Sequence, residues 1–427
     1  MRTACLPLSI IALLGCATAR PPAPPAQPVA PDPPPAVLLL TPANDGLTKE
    51  GLWRENMALA DINGDGFVDI ITPPTRGESA QPNIFLGDGT GRWMEWAEAR
   101  FPRLPLAYGG VAVGDLDGDG LQDIVLACHE GRIYALFQVR PGEFESRSDG
   151  MPDPTLFSSR AVILADFDGD GRPEIAALNE SPTYLNVSKL NLIRQKVLGF
   201  DGTKWTEWSV TGGKGENMAF GNSLVAGDFN GDGRPDFATC SNVYNFKHTL
   251  FINEAGGFRP SAISALPDRA YMFYVDAADF DGDGRTDLVY TAMTFPVDEE
   301  DVNARSAGVF AKVFLVLNRP GGWEYLEVDS REVTKSKMRF RGLAVADFDQ
   351  NGRPDVATVF DDRTLQVYLN LDGRTFKPAG VEGWIPQARA SWLGAADFDG
   401  DGGPDLAAAY GMEKDGGRFH AYKIKVK

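Results

Sequence analysis

The chain has 427 residues, a formal net charge of −18 at pH 7 and only four cysteines. The acidic excess argues against nucleic acid as a partner, because a negatively charged surface repels phosphates. Cys5 and Cys16 lie in the leader, and the two remaining cysteines are too few to define a disulfide framework. We expect Cys128 and Cys240 to be buried free thiols.

Residues 1–15 predict a signal peptide, in which Arg2 precedes the apolar run LPLSIIALLG. This run is too short for a transmembrane helix, which takes about 20 apolar residues, and no later run is longer. The segment Leu13-Leu14-Gly15-Cys16 resembles the lipobox of bacterial lipoproteins, which implies a lipid on Cys16. The alternative is an ordinary signal peptide with an incidental cysteine. Ala17 is not the aspartate of the enterobacterial inner-membrane signal, which favours the outer membrane, facing the periplasm or the cell surface.

Residues 16–35 continue the leader with the stretch RPPAPPAQPVAPDPPP, which begins at Arg20. Proline lacks the backbone N–H that helices and sheets need, so this stretch predicts a stiff extended tether. Such a spacer suits a protein that is held at a membrane through a lipid anchor only.

One acidic nonapeptide occurs seven times after the tether, with starts 50 to 68 residues apart. The copies are DINGDGFVD from Asp61, DLDGDGLQD from Asp115, DFDGDGRPE from Asp166, DFNGDGRPD from Asp228, DFDGDGRTD from Asp279, DFDQNGRPD from Asp347 and DFDGDGGPD from Asp397. A repeat of this length indicates a modular architecture.

Apolar stretches flank each nonapeptide, such as GGVAVGD before the second copy and DIVLA after it. A third strand follows in most repeats, as in NIFLGDG, and a glycine-containing turn leads to a fourth, as in RWMEWAEA. Four antiparallel strands in each of seven repeats predict an all-β fold, a seven-bladed β-propeller over residues 36–427.

The two ends of the chain predict how the ring closes. Only two strands follow the last nonapeptide, whereas an additional strand, AVLLLTP at residues 36–42, precedes the first. We expect this N-terminal strand to complete the last blade, because closure removes exposed strand edges.

Each nonapeptide has the pattern of a calcium loop, with carboxylates or amides at positions 1, 3, 5 and 9 and glycine at position 6. Calcium takes six to eight oxygen ligands, glycine permits the positive φ angles of a wrapping loop, and the carbonyl of position 7 can complete the shell. We therefore expect up to seven Ca²⁺ ions, one per blade, although Gln350 and Asn351 leave the sixth loop open. The predicted ligands are Asp61, Asn63, Asp65, Phe67, Asp69, Asp115, Asp117, Asp119, Leu121, Asp123, Asp166, Asp168, Asp170, Arg172, Glu174, Asp228, Asn230, Asp232, Arg234, Asp236, Asp279, Asp281, Asp283, Arg285, Asp287, Asp347, Asp349, Asn351, Arg353, Asp355, Asp397, Asp399, Asp401, Gly403 and Asp405.

Three other interpretations of the loops fit less well. An EF-hand needs a bidentate glutamate at position 12, where these loops have residues such as Thr72 and Leu126 in strand-like sequence. Magnesium retains water ligands and rarely takes cages so rich in protein oxygens. Plain solvated Asp-Gly turns would not require an oxygen-bearing side chain at four fixed positions in every copy.

The DxDGDGxxD loops between two apolar strands resemble FG-GAP (VCBS-type) repeats, as in the N-terminal propeller of integrin α chains. The resemblance covers roughly residues 36–427. It implies that each calcium lies in the hairpin between a blade's first two strands, on the face opposite the usual ligand surface. It implies no particular ligand, because propellers support many functions.

The sequence contains no recognisable catalytic constellation. The three histidines, His129, His248 and His420, lie in or beside predicted strands of different blades, and no GxSxG, HExxH or phosphate-binding glycine motif is present. The loop aspartates are assigned to metal, which makes them poor general acids or bases.

The segments that lead into each first strand are rich in arginine and aromatic residues and should converge at the mouth of the central channel. Such residues could bind an acidic or sugar-like ligand, or a protein loop; alternatively, they cap the channel and pair with neighbouring carboxylates. The candidate ligand-binding residues are Arg54, Tyr108, Arg160, Arg269, Tyr271, Arg339, Arg341, Arg389 and Trp392. Insertions at 181–192 and 295–308 are expected on the same face, where loops often carry recognition.

The leading hypothesis is a non-catalytic binding or adhesion scaffold of the bacterial envelope, with a protein or glycan ligand opposite the calcium loops. Its rival is a polysaccharide-acting, lyase-like enzyme that uses the same face. A third hypothesis is an envelope assembly factor with protein partners only. The sequence sets neither the ligand nor the oligomeric state.

Overall fold

The apolar stretches around each nonapeptide form the inner strands of seven sheets in the computed structural model. The chain divides into two units, Met1–Pro34 and Pro35–Lys427, and all described residues belong to the second. The structure describes residues 36–47, 51, 53, 56–75, 81–129, 131–178, 195–212, 221–241, 249–295, 308–333, 339–385, 389–410 and 419–427. The predicted signal peptide, Cys16 and the tether lie outside these residues.

The N-terminal strand β1 (Val37–Pro42) comes first, and the following strands form six blades of four strands each and the three remaining strands of blade 7. Blade 1 contains β2 (Ala58–Ala60), β3 (Asp69–Thr72), β4 (Asn83–Gly87) and β5 (Trp93–Glu95). Blade 2 contains β6 (Gly109–Gly114), β7 (Asp123–Cys128), β8 (Ile133–Arg140) and β9 (Glu143–Ser146). Blade 3 contains β10 (Ala161–Ala165), β11 (Glu174–Leu178), β12 (Lys196–Phe200) and β13 (Trp205–Glu207). Blade 4 contains β14 (Leu224–Gly227), β15 (Asp236–Thr239), β16 (Leu250–Glu254) and β17 (Gly257–Ser261).

The remaining three blades include the longest and the most irregular sheets. Blade 5 contains β18 (Ala270–Ala278), β19 (Asp287–Thr294), β20 (Phe310–Arg319) and β21 (Gly322–Glu332). Blade 6 contains β22 (Phe340–Ala346), β23 (Asp355–Phe360), β24 (Leu365–Asn370) and β25 (Phe376–Pro378). Blade 7 contains β27 (Ala390–Ala396), β28 (Asp405–Tyr410) and β29 (Phe419–Val426), and the short strand β26 (Gly380–Glu382) precedes it. Neighbouring strands within each blade pair antiparallel, and the described residues form no helix.

The N-terminal strand completes the last blade, which confirms the predicted closure. β1 pairs antiparallel with β29, with Leu40 opposite Ile424. On its outer side β1 pairs parallel with β26, a strand that sequence reasoning missed. Parallel bridges also link Arg100 to Glu143 and Val210 to Phe258, so the chain leaving blades 1 and 3 pairs with the next blade in the same way.

The blades form a closed ring whose cores lie between neighbouring sheets. The first strand of each blade contacts the first strands of both neighbours, and β27 of blade 7 contacts β2 of blade 1. Seven clusters of buried apolar side chains occupy the seven junctions. The residue at loop position 2 enters the junction with the next blade in every repeat: Ile62, Leu116, Phe167, Phe229, Phe280, Phe348 and Phe398. Each loop is therefore anchored in an apolar core.

Every nonapeptide joins the first two strands of its blade, so the seven loops share one face of the ring, called here the loop face. The segments that lead into the first strands lie on the opposite face. Cys128 and Cys240 are buried and free, as expected. Among the described residues, no helix has the length and apolar character needed to cross a membrane.

Candidate metal sites in the seven loops

The aspartate at loop position 1 collects backbone N–H groups from the turn. In blade 1, Asp61 Oδ1 accepts from Gly64 at 2.7 Å and from Asp65 at 3.0 Å, and Oδ2 accepts from Gly66 at 2.7 Å. Blades 2 to 5 repeat all three hydrogen bonds. The wrapping requires positive φ, and the position 6 glycines lie between 83° and 89°.

Positions 5 and 7 are linked in all seven loops, because the N–H of position 7 donates to the side-chain oxygen of position 5. The sixth loop keeps this bond even though Asn351 stands at position 5. It also keeps the turn, because Gln350 adopts a left-handed φ of 57° where the other loops have glycine.

The carboxylate at position 9 is buried and ties the loop to the rest of its blade. In blade 2, Asp123 Oδ2 accepts from the N–H of Leu116 at 2.9 Å, and Oδ1 accepts from the N–H of Gln138 on the third strand at 2.7 Å. The bond to position 2 recurs in every blade, and the bond to the third strand occurs in six. These N–H groups hold the carboxylate in a fixed orientation.

Burial raises the pKa of the position 9 carboxyls, because the charged form loses its hydration. Neighbouring loop aspartates raise it further, and the two backbone N–H donors oppose the shift. The pKa reaches about 7 for Asp123, Glu174, Asp287 and Asp355, and about 6 for Asp69, Asp236 and Asp405. A cation bound in the loop would favour the ionised form.

Three carboxylates converge in five of the loops, with oxygens within 4.8 Å of one another. Positions 1, 3 and 9 meet in blades 2, 5, 6 and 7, and positions 1, 3 and 5 meet in blade 3. The sixth loop is among them, through Asp347, Asp349 and Asp355. Blades 1 and 4 have amides, Asn63 and Asn230, at position 3. These loops could hold a metal ion.

Two position 3 aspartates each present an oxygen that has no hydrogen-bond partner. Asp117 Oδ2 accepts from Arg147 at 2.6 Å, whereas its buried Oδ1 accepts none. Asp281 repeats the arrangement, with Oδ2 paired to Arg319 and Oδ1 buried without a partner. A buried carboxylate oxygen without a donor is costly, and a metal ion in the loop would remove that cost. The donor set therefore fits a cation that prefers oxygen.

Four third-strand carboxamides join loops of neighbouring blades, a feature that sequence reasoning missed. Asn318 Nδ2 donates to the carbonyl of Phe229, in the loop of blade 4, at 2.8 Å, while its N–H donates to Asp287 of its own loop at 2.7 Å. The equivalent residues Gln138, Asn253 and Asn370 make the corresponding contacts. A recurring amide near the end of the third strand, as in LFINE and LVLNR, was the available signal.

Comparison with known families agrees with this geometry. A profile described as "FG-GAP-like repeat" matches residues 61–126, 115–177 and 347–408, and one described as "FG-GAP repeat" matches residues 220–241.

The chain contains FG-GAP repeats.

The other comparisons describe the fold. Searching the curated proteins finds no match to this sequence. Among solved structures, the FG-GAP ring is similar to an exotype rhamnogalacturonan lyase, YesX, with a TM-score of 0.50 and 12% sequence identity over 90% of this chain and 76% of that chain. At this identity the similarity extends to the fold alone.

On the opposite face, several of the candidate ligand-binding residues have partners within the protein. Arg341 and Asp361 form a buried ion pair, in which the Arg341 Nε donates to Asp361 Oδ1. The ion pair of Arg341 agrees with the alternative interpretation, in which residues of this set pair with neighbouring carboxylates. The Arg339 guanidinium lies 4.3 Å from the ring centre of Phe273.

The other members of the set are distributed over the blades. The ring of Tyr108 lies 4.7 Å from that of His129, and the ring of Tyr271 lies 5.3 Å from that of Phe295. Arg389 is exposed, Arg160 and Arg269 are half-buried, and Trp392 lines the central channel. Arg54, residues 181–192 and nearly all of 295–308 lie outside the described residues.

Proposed function

We propose that the protein is a calcium-stabilised, non-catalytic binding or adhesion scaffold of the bacterial envelope, with a protein or glycan ligand on the face opposite the loops. The convergence of carboxylate oxygens in the FG-GAP loops supports the metal-dependent part of this proposal. Calcium suits these sites because it accepts many oxygen ligands in flexible geometry, whereas thiol or imidazole ligands would favour zinc. Bound Ca²⁺ supplies positive charge among carboxylates that otherwise repel one another.

Calcium binding is tested by calorimetry and thermal melting of the mature chain stripped of metal. We expect up to seven ions per chain and a higher melting temperature with Ca²⁺, since a ligand at a hundred times its dissociation constant adds about 2.7 kcal/mol per site. Asp279→Asn, at position 1 of the fifth loop, should remove one ion. Glu98→Gln changes an exposed carboxylate outside the loops and should leave the stoichiometry unchanged. Equal melting temperatures with chelator and with Ca²⁺ would refute the proposal.

The ligand is tested on the calcium-loaded protein. Glycan-array binding without turnover supports a glycan ligand, whereas crosslinking to envelope proteins without a glycan signal supports a protein ligand. Arg389→Ala, on the opposite face, should weaken binding, and Arg140→Ala, an exposed control on β8, should not. If both variants bind alike and other substitutions on the opposite face are also neutral, the ligand lies elsewhere.

The envelope location rests on the leader and has its own test. A fatty-acid analogue fed to an expressing bacterium should label the chain, and Cys16→Ala should abolish the label. Unlabelled protein in the soluble periplasmic fraction would support an ordinary signal peptide.

The similarity to a rhamnogalacturonan lyase makes a polysaccharide-acting enzyme the second candidate. Incubation with rhamnogalacturonan and other acidic polysaccharides, followed by ultraviolet detection of unsaturated products, separates the two functions. Product that accumulates with time and protein concentration would replace the scaffold proposal with the lyase.

A further inference from the structure

The central channel of the ring contains one carboxylate at a position where the other blades are uncharged. This position lies three residues before the first aspartate of each loop, on the innermost strand. From blade 1 to blade 7 its residues are Ala58, Ala112, Ile163, Val225, Asp276, Ala344 and Gly394. Six blades close the ring without a charge here, so Asp276 is not a requirement of the fold.

Asp276 borders a cavity of about 270 Å³ that is lined by the inner strands of blades 1, 4, 5, 6 and 7. The next layer of this wall, two residues earlier in each strand, is polar and aromatic: Asn56, Ser223, Tyr274 and Trp392. Tyr274 Oη donates to the carbonyl of Ser391 at 3.0 Å, so its side chain reaches from blade 5 to blade 7. The equivalent residue of blade 6, between them, is Gly342, where a side chain would collide with Leu393 and Trp392 of blade 7.

The surroundings of Asp276 do not neutralise its charge. Its Oδ1 accepts a hydrogen bond from the N–H of Ala277 at 2.9 Å, and no residue in the described part of the chain forms an ion pair with it. Loss of hydration raises the pKa of this carboxyl to about 6, and no charged neighbour contributes to the shift. A partly buried carboxylate without a counter-charge is costly, and one that borders a cavity is a candidate binding group.

We propose that the channel binds a small organic cation, whose ammonium group pairs with Asp276 and whose carbon skeleton packs against Tyr274 and Trp392. Aromatic rings attract cations through their faces, and a single carboxylate supplies the counter-charge. A metal ion is the poorer occupant, because calcium takes six to eight oxygens and the described residues of the lining include one carboxylate. This site is separate from the opposite face of the proposed function and needs no contact with it.

The test compares an amine with an alcohol of the same shape. Cyclohexylmethylamine and cyclohexylmethanol are titrated into the calcium-saturated protein, with binding followed by calorimetry and ligand-observed NMR. We expect the amine to bind at least about tenfold more tightly than the alcohol, and Asp276→Asn to remove this preference. Glu98→Gln, an exposed change on the outside of the ring, should leave the amine affinity unchanged.

Thermal melting without any amine separates a binding role from a structural one. Asp276→Asn and Asp276→Val, the latter installing the residue of blade 4, should melt at the same or a higher temperature, because each removes an unpaired carboxylate from the channel. Equal affinities of the amine and the alcohol, an unchanged amine affinity in Asp276→Asn, or a lower melting temperature for both variants would overturn the proposal.

Discussion

Asn370, at the end of the third strand of blade 6, donates through Nδ2 to the carbonyl of Phe280 in the loop of blade 5, at 2.7 Å. Its backbone N–H donates to Asp355, the position 9 carboxylate of its own loop, also at 2.7 Å. One residue thus fixes a candidate metal ligand and the neighbouring loop together. Asn318 makes the same link between blades 4 and 5, and Asn253 makes it between blades 3 and 4, so the loops of blades 3 to 6 form a connected series.

We therefore predict that Asn370→Asp destabilises the protein by about 1–3 kcal/mol, since it leaves the buried Phe280 carbonyl without its donor and places an oxygen against it. Chemical denaturation measures the free energy of unfolding. Gln81→Glu adds the same charge at an exposed site and should change it little.

The calcium affinity of the neighbouring loop distinguishes this link from a purely local contact. In Asn370→Asp the fifth loop should bind Ca²⁺ more weakly, although all of its own side chains remain. Unchanged affinity at that loop would mean that the carboxamide affects stability alone.

The position 9 carboxyls predict that the metal-free protein loses stability as the pH rises from about 4 to about 7. Their pKa is about 6 to about 7 in the folded chain, above the ordinary values of 3.8 for aspartate and 4.5 for glutamate. Over this range the folded state holds more protons than the unfolded state, so the free energy of unfolding decreases with pH. Calcium requires the ionised carboxylates, so the stabilisation it provides should grow over the same range.

Melting temperatures of metal-stripped and calcium-saturated protein across this pH range measure both effects. Asp236→Asn removes one raised pKa and should reduce the slope of the metal-free curve. A metal-free protein whose melting temperature rises with pH would contradict the assigned protonation of these groups.

The buried ion pair of Arg341 and Asp361 predicts a large loss of folding stability when one partner is removed. Arg341 is 5% exposed and Asp361 is 7% exposed, and the second oxygen of Asp361 accepts from the N–H of Arg339 at 3.0 Å. Arg341→Leu should cost about 3–5 kcal/mol, because it leaves the carboxylate buried without its counter-charge.

Adding Asp361→Asn to Arg341→Leu should recover part of this loss, and Arg103→Leu, at an exposed arginine, serves as the control. Denaturation of the wild type, of Arg341→Leu, of Asp361→Asn and of the double variant measures the coupling between the two residues. A double variant as unstable as the sum of the single changes would show that the pair is not coupled.

The closing strand β1 predicts a strong dependence of stability on one side chain. Leu40 is buried between blades 6 and 7, whereas Leu39 on the same strand is half-buried. Leu40→Ala should lower the free energy of unfolding by about 2–5 kcal/mol, and the matched change Leu39→Ala should lower it less. Thermal and chemical unfolding measure both variants, and equal losses would argue against the packing of this strand.

The sequence by itself determined the number of blades, the class of fold, the loops and the closure by the N-terminal strand. These features depend on short stretches of chain: Asp61 bonds to the backbone no further away than Gly66, and each loop lies between two adjacent strands. The sequence likewise showed an additional strand at residues 36–42 and only two strands after the last nonapeptide.

Only the tertiary structure decided which distant residues meet. Asn370 and Phe280 are 90 positions apart, and Asp276 borders a cavity lined by strands of five blades. Such contacts depend on how the sheets are arranged around the ring. The carboxamides recur in the sequence, but the recurrence does not show which carbonyl of the neighbouring blade each one meets. A residue's local sequence fixes its strand, whereas its partners across a junction are fixed by the packing of whole blades.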